Sequence, residues 1–188
     1  MKWQYKVDGE VLSKSEGLAV ASYEMFCSGL FSNSSEDKFR ADGEKLKSIT
    51  ADQLAEAFQV STDNTIVGLD GRTSLLNKLG EALCADKTHF GEDGRLGNLY
   101  SFIANKESDG NLKAKIILET ILESLGSIWP GRIVIDGENM GDVWNHSSLN
   151  SFEIGKGLVP FHKLSQWLSY SLVEPLEWNG IQVNDLDD

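Results

Sequence analysis

The chain has 188 residues, 40% hydrophobic and 24% charged, which suits one soluble domain over residues 1–188 and is too short for two comfortable ones. A net charge of −12 repels phosphate backbones and excludes nucleic acid as the expected partner, while an anionic small molecule would need a local basic group. No apolar run reaches bilayer length, no secretory signal stands at the N-terminus, and Cys27 and Cys84 read as buried free thiols, so the expected location is the cytoplasm and no membrane contact is expected.

In chain order, residues 1–12 read as an extended lead-in or a β-hairpin arm around Asp8-Gly9. Ser13-Lys14-Ser15-Glu16 fits a capping box that opens a helix through Leu18, Ala21, Met25 and Phe26, which Gly29 closes. Thr50-Ala51-Asp52-Gln53 is a second capping box, with Leu54 and Phe58 as its buried face. Asp70 is the expected cap of a helix carrying Leu75, Leu76, Leu79 and Leu83 at helical spacing. Gly80 inside it costs about 1 kcal/mol relative to Ala, and such a glycine often marks close helix packing.

A short helix is expected around Leu99 to Ile103, and Asn111 is read as the cap of a longer one carrying Ile116, Ile117, Ile121, Leu122 and Leu125, with Gly126 at its end. Ile133-Val134-Ile135 is a strand candidate, and 137–157 looks irregular. Pro160 suits the first turn of a last helix, limited near Val173 by Pro175.

That last helix is the most informative element. On a wheel, Phe161, Leu164, Leu168 and Leu172 form a core stripe, and Lys163, Gln166, Tyr170 and Glu174 fall within an arc of about 80° on the other side, with Trp167 beside them and His162 flanking. The polar stripe has two readings. It is a solvated face, or it lines a polar pocket in which Lys163 holds an anion while Gln166 and Tyr170 orient a hydroxyl or carbonyl. Tyr and Trp are costly to leave in water, which speaks for the pocket.

Elsewhere the signals are weaker. His89, His146 and His162 lack the spacing of a helical metal site, and no nucleophile elbow or phosphate loop occurs, so neither metal nor cofactor is expected. Trp129-Pro130-Gly131-Arg132 and Gly141-Asp142-Val143-Trp144 place tryptophans in turn-rich segments, which suggests loops packed around a pocket. Trp129 and Asp142 therefore join His162, Lys163, Gln166 and Tyr170 as candidate substrate contacts.

Several stretches together carry a resemblance: Ser15 to Ser22, Gly68-Leu69-Asp70-Gly71-Arg72, Ile128 to Arg132, Gly141 to Trp144, and above all Val159-Pro160-Phe161-His162-Lys163-Leu164-Ser165-Gln166-Trp167-Leu168 with its continuation Tyr170 to Leu176. These resemble the uracil catabolism protein 4 family. The resemblance implies a longer protein of which this chain is the central part, cut at both ends. Phe161-His162-Lys163-x-x-Gln166 is also remotely similar to a motif of the queuosine salvage N-glycosylase family. That similarity implies an orthogonal helical bundle like the DNA glycosylases, and the residues themselves predict a mainly α fold with minor β structure near the N-terminus and at 133–135. It also implies an active-site role for Lys163, with a catalytic carboxylate lying beyond Asp188.

The expected function is then an N-ribosyl hydrolase of pyrimidine breakdown that cleaves urea or a base-derived group from ribose or ribose phosphate. The alternative is a non-catalytic subunit or scaffold that binds a nucleotide-derived intermediate. The expected partner is a nucleoside- or nucleotide-derived small molecule.

Overall fold

The computed structural model describes residues 2–5, 9–129, 131, 133–141, 143–149, 155, 157–161 and 163–187. Helices carry most of the regular structure, and the strands are pieces of two or three residues. The chain divides into two compact units, Met1–Gly97 and Asn98–Asp188.

In the first unit, β1 (Lys2–Gln4) and β2 (Val11–Ser13) form an antiparallel hairpin, followed by α1 (Lys14–Cys27), α2 (Gly43–Lys47), α3 (Ala51–Ala57), α4 (Leu69–Ala85) and α5 (Lys87–Phe90). Trp3 anchors the hairpin: its ring is 4% exposed, and its indole N–H donates to the Ala57 carbonyl at 3.0 Å. The end of α1 follows the expected chemistry. Gly29, at φ +82°, lets its own N–H reach the Phe26 carbonyl and the Leu30 N–H reach the Met25 carbonyl, a Schellman closure. The Thr50 capping box forms in full at the start of α3, and Leu54 and Phe58 are buried.

The tightest packing in this unit is between α2 and α4. A Cβ at Gly80 would meet the Lys47 nitrogen at 2.5 Å and the Gly43 oxygen at 2.6 Å, so the backbones touch where the sequence predicted close approach. The Asn77 carboxamide, one turn earlier on α4, donates to the carbonyls of Leu46 and Ile49. Cys84 is half-buried, and its thiol donates to Glu44; burial, then the carboxylate, pushes the thiol pKa up.

In the second unit, α6 (Asn98–Ala104), β3 (Asn111–Lys113) and α7 (Ala114–Leu125) are followed by a 3-10 turn at Gly126–Ile128. The hairpin β4 (Val134–Ile135)–β5 (Glu138–Asn139) and the antiparallel pair β6 (Val143–Asn145)–β7 (Leu158–Pro160) come next. Then come α8 (Lys163–Trp178) and β8 (Gln182–Asn184), which pairs parallel with β3. Leu99, Ile103, Leu112, Ile117, Ile121, Leu125, Leu176 and Val183 make its core.

Several boundaries differ from the sequence reading, each for a local reason. Ser13 makes no capping bond, because it is the last residue of β2, in register with Lys2. Gly68, in the left-handed region at φ 73°, precedes α4, and Asp70 lies inside the first turn. Asn111 opens β3, so Lys113 precedes α7. Pro160 pairs with Val143 in β7, where its missing N–H suits a strand with one neighbour. Pro175 lies inside α8, and the carbonyl it leaves without an N–H belongs to Ser171, which is exposed.

The two glycines of α4 give a test of opposite sign. Gly80→Ala forces the α2 backbone aside and is expected to lower the unfolding free energy by about 1–3 kcal/mol, the usual cost of overpacking. Gly71 has nothing within 4 Å of its would-be Cβ, so Gly71→Ala is expected to raise it by about 0.5–1 kcal/mol. Urea denaturation of the two variants checks both signs.

Candidate functional site

The site is built on α8, and its orientation is set by small residues. Ser165 is 3% exposed and Leu176 1%, whereas Phe161 is 54%, Leu164 55% and Trp167 70% exposed. The expected core stripe is therefore corrected at Phe161 and Leu164, while Leu168 and Leu172 are half-buried. The buried arc centres on Ser165, Ser169, Leu172 and Leu176, which fall within about 60° at 100° per residue. Phe161 precedes the first helical residue, so the helical period does not apply to it, and Leu164 lies about 100° from Ser165, outside the arc.

Thr120 and Ser124 of α7 are both buried, on the side of that helix away from the residues that share cavities with α8. Their hydroxyls bond back to carbonyls four residues earlier: Thr120 to Ile116 at 2.7 Å and Ser124 to Thr120 at 2.7 Å. On α8, Ser169 does the same to Ser165 at 2.9 Å. The helices run antiparallel. Ala114 and Leu118 share one cavity with Ser169 and Val173, and Leu122 and Gly126 share another with Leu164 and Ser165.

Three concavities result. Phe161, Lys163, Gln166, Trp167, Tyr170 and Ser171 line an open groove of about 640 Å³ on the outward side of α8. Gln166 and Tyr170 also line a small cavity of about 80 Å³ against α7, to which α7 contributes Lys115. The Tyr170 hydroxyl donates to the Leu186 carbonyl at 3.1 Å, which draws the residues after β8 against the helix. The third space, about 170 Å³, lies between α7, the start of α8 and the β4–β5 hairpin, with Trp129 in its wall.

The structure thus brings Lys163, Gln166 and Tyr170 to one groove and places Trp129 at a separate cavity. Glu174 is exposed and lies outside the groove lining. His162 and Asp142 lie outside the described residues. Lys115 was not identified in the sequence: it stands in the first turn of α7, far along the chain, and only the helix pairing brings it near Tyr170. Among the described residues, no group of three His, Cys, Asp or Glu side chains is placed to hold a metal. No described helix is long and apolar enough to cross a membrane.

The orientation of α8 has a direct test. Ser165→Leu is expected to destabilise the fold by about 1–3 kcal/mol or more by overpacking. Leu164→Ser, at an exposed position, is expected to stay within about 0.5 kcal/mol of the parent. Thermal or chemical denaturation of the pair measures this, and the reverse ranking would refute the orientation.

Residues 1–188 match the family model described as "Protein of unknown function (DUF1688)". The chain is 40% identical over 190 residues to "Uracil catabolism protein 4" of Lachancea kluyveri, an alignment covering 95% of this chain and 43% of that protein. It is 34% identical over 175 residues to "Protein urg3" of Schizosaccharomyces pombe, covering 93% of this chain and 41% of the relative. The chain thus spans less than half the length of these curated relatives. No solved structure matches.

Proposed function

The chain belongs to the family described as Protein of unknown function (DUF1688), and from that premise we propose that it acts in uracil catabolism, holding a ribose-linked, ring-opened pyrimidine in the α8 groove for hydrolysis of its N-glycosidic bond. The printed name of the Lachancea kluyveri relative supports the pathway. The observation that carries the ligand reading is that Lys163, Gln166 and Tyr170 share one groove with the aromatic side chains of Phe161 and Trp167. An ammonium suits a phosphate or ribose oxygen, an amide can donate and accept, and aromatic faces suit the flat ureido group.

The chemistry is a hydrolysis. Water adds its oxygen to the anomeric carbon, the C–N bond breaks, and the departing nitrogen takes a proton, leaving urea and the free sugar or sugar phosphate. Such a step passes through an oxocarbenium-like state and needs a carboxylate to stabilise it and accept the proton of water. None of the six described groove-lining residues is a carboxylate. In this reading the carboxylate comes from the part of the longer family chains outside the matched residues. The reading also takes the mainly helical fold as a DNA-glycosylase-like orthogonal bundle, the 188 residues as one domain of a longer cytoplasmic protein, and the reaction as one without a cofactor. That no described groove residue is a carboxylate equally favours a second reading, in which this chain binds the intermediate without turning it over.

Calorimetric titration with ribosylurea 5-phosphate tests the groove. Saturable binding is expected, weakened at least tenfold, about 1.4 kcal/mol, by Lys163→Ala. No binding, or indifference to that substitution, would overturn the assignment. Urea release by a full-length relative, followed over time, separates hydrolysis from binding alone.

A further inference from the structure

The helical period that turns Ser165 and Leu176 inward gives α8 an outward face, and its composition is not that of a solvated helix face. At 100° per residue, Leu164, Tyr170, Glu174 and Trp178 all fall within about 60° of Trp167. Leu164 and Tyr170 are more than half exposed, Trp167 is 70% and Trp178 75% exposed. The two tryptophans are three turns apart, about 16 Å along the axis, and almost on one line.

A single exposed apolar side chain is ordinary, whereas a patch of a few hundred Å² marks an interaction site. The two indoles alone leave on the order of 300 Å² in water. The charged residues of this arc are Lys163 and Glu174, one of each sign, so net charge gives the face no preference for a charged surface. What it offers is large rigid rings, the side chains on which protein interfaces concentrate their binding energy.

The occupant follows from length. With 190 aligned residues making up 43% of the Lachancea kluyveri protein, the remainder of that relative is longer than the matched part and is itself domain-sized. A segment tethered to the same chain meets the face at an effective concentration of about millimolar, an advantage that neither a second copy nor a separate protein has.

We propose that the outward face of α8, from Leu164 to Trp178, docks the polypeptide that the longer relatives carry outside the matched region, with Trp167 and Trp178 as its two anchors. Trp167 and Tyr170 also line the open groove, so the docked polypeptide forms that groove's outer wall. The proposal goes beyond the groove reading and does not need a ligand there, because the exposure of the two tryptophans carries it.

The accessibility of an introduced thiol tests it. Glu174→Cys places the thiol between the anchors and outside the groove lining. Its maleimide labelling is followed by mass spectrometry of the labelled peptide, in the 188-residue chain and at the aligned position of the full-length Lachancea kluyveri protein, each against the same chain in urea. The 188-residue chain is expected to label near its unfolded rate, and the full-length relative at least about tenfold more slowly than its own. Unprotected labelling in the folded relative overturns the proposal. So does protection already present in the 188-residue chain, from another part of that chain or, where it grows with concentration, from a second copy. As a second readout, Trp167→Glu with Trp178→Glu is expected to leave the 188-residue chain melting near the parent temperature, since both rings stand in water. Glu at the two aligned positions of the relative is expected to restore fast labelling there, and unchanged protection overturns the proposal. These rates are read without any ligand, so a failure of the groove reading leaves them unmoved.

Discussion

Everything proposed for the second unit depends on the contact between α7 and α8, which turns Ser165, Ser169, Leu172 and Leu176 of α8 inward. Thr120, Ser124 and Ser169 each bond to a carbonyl one turn back on their own helix. Buried polar groups are tolerable only when satisfied. Self-satisfied small side chains meet that requirement without a partner on a neighbouring helix. The cost is rotational: once Ser165 and Ser169 face inward, the helical period turns Trp167 and Tyr170 outward.

That rotation explains which parts of the site were legible. The stripe Lys163–Gln166–Tyr170 could be read because helical spacing is independent of which face is buried. The core stripe was legible only in part: Leu172 falls in the buried arc, but Ser165 and Ser169 share that arc, and Phe161 and Leu164 are exposed. Hydrophobicity is a one-way guide here: exposed Phe161, Leu164 and Trp167 are compatible with a folded unit provided the small residues pack. Partner residues such as Lys115 and Leu186 come from other elements, so no local pattern announces them.

Local signals succeeded where the relevant bonds are local. The Thr50 capping box and the Gly29 closure each involve residues within a few positions of one another, and both formed. Ser13, Asn111 and Pro160 have comparable local signals, yet each was captured by a strand partner far along the chain: Lys2 at 11 positions, Gln182 at 71 and Val143 at 17. A cap is worth about 1 kcal/mol, and a ladder that also buries Trp3, Leu112 or Val143 outweighs it. Gly80 was readable for a different reason: a glycine inside a helix is costly enough that only close approach of another backbone justifies it.

The two larger spaces on α8 follow from one geometric fact, that consecutive residues of a helix point about 100° apart. Lys163 and Gln166 line the open groove, while Leu164 and Ser165, between them, line the smaller cavity. An open groove exchanges with water and must retain a ligand by charge and directed hydrogen bonds, which on a chain of net charge −12 gives a lysine there a steering role for anions. The smaller space beside Trp129 has Leu122, Met140 and Leu164 among its described lining residues and so offers mainly apolar surface. One helix can therefore present two chemically distinct surfaces within a single turn, and the partition between them was decided when Ser165, and not Leu164, became the residue at the α7 contact.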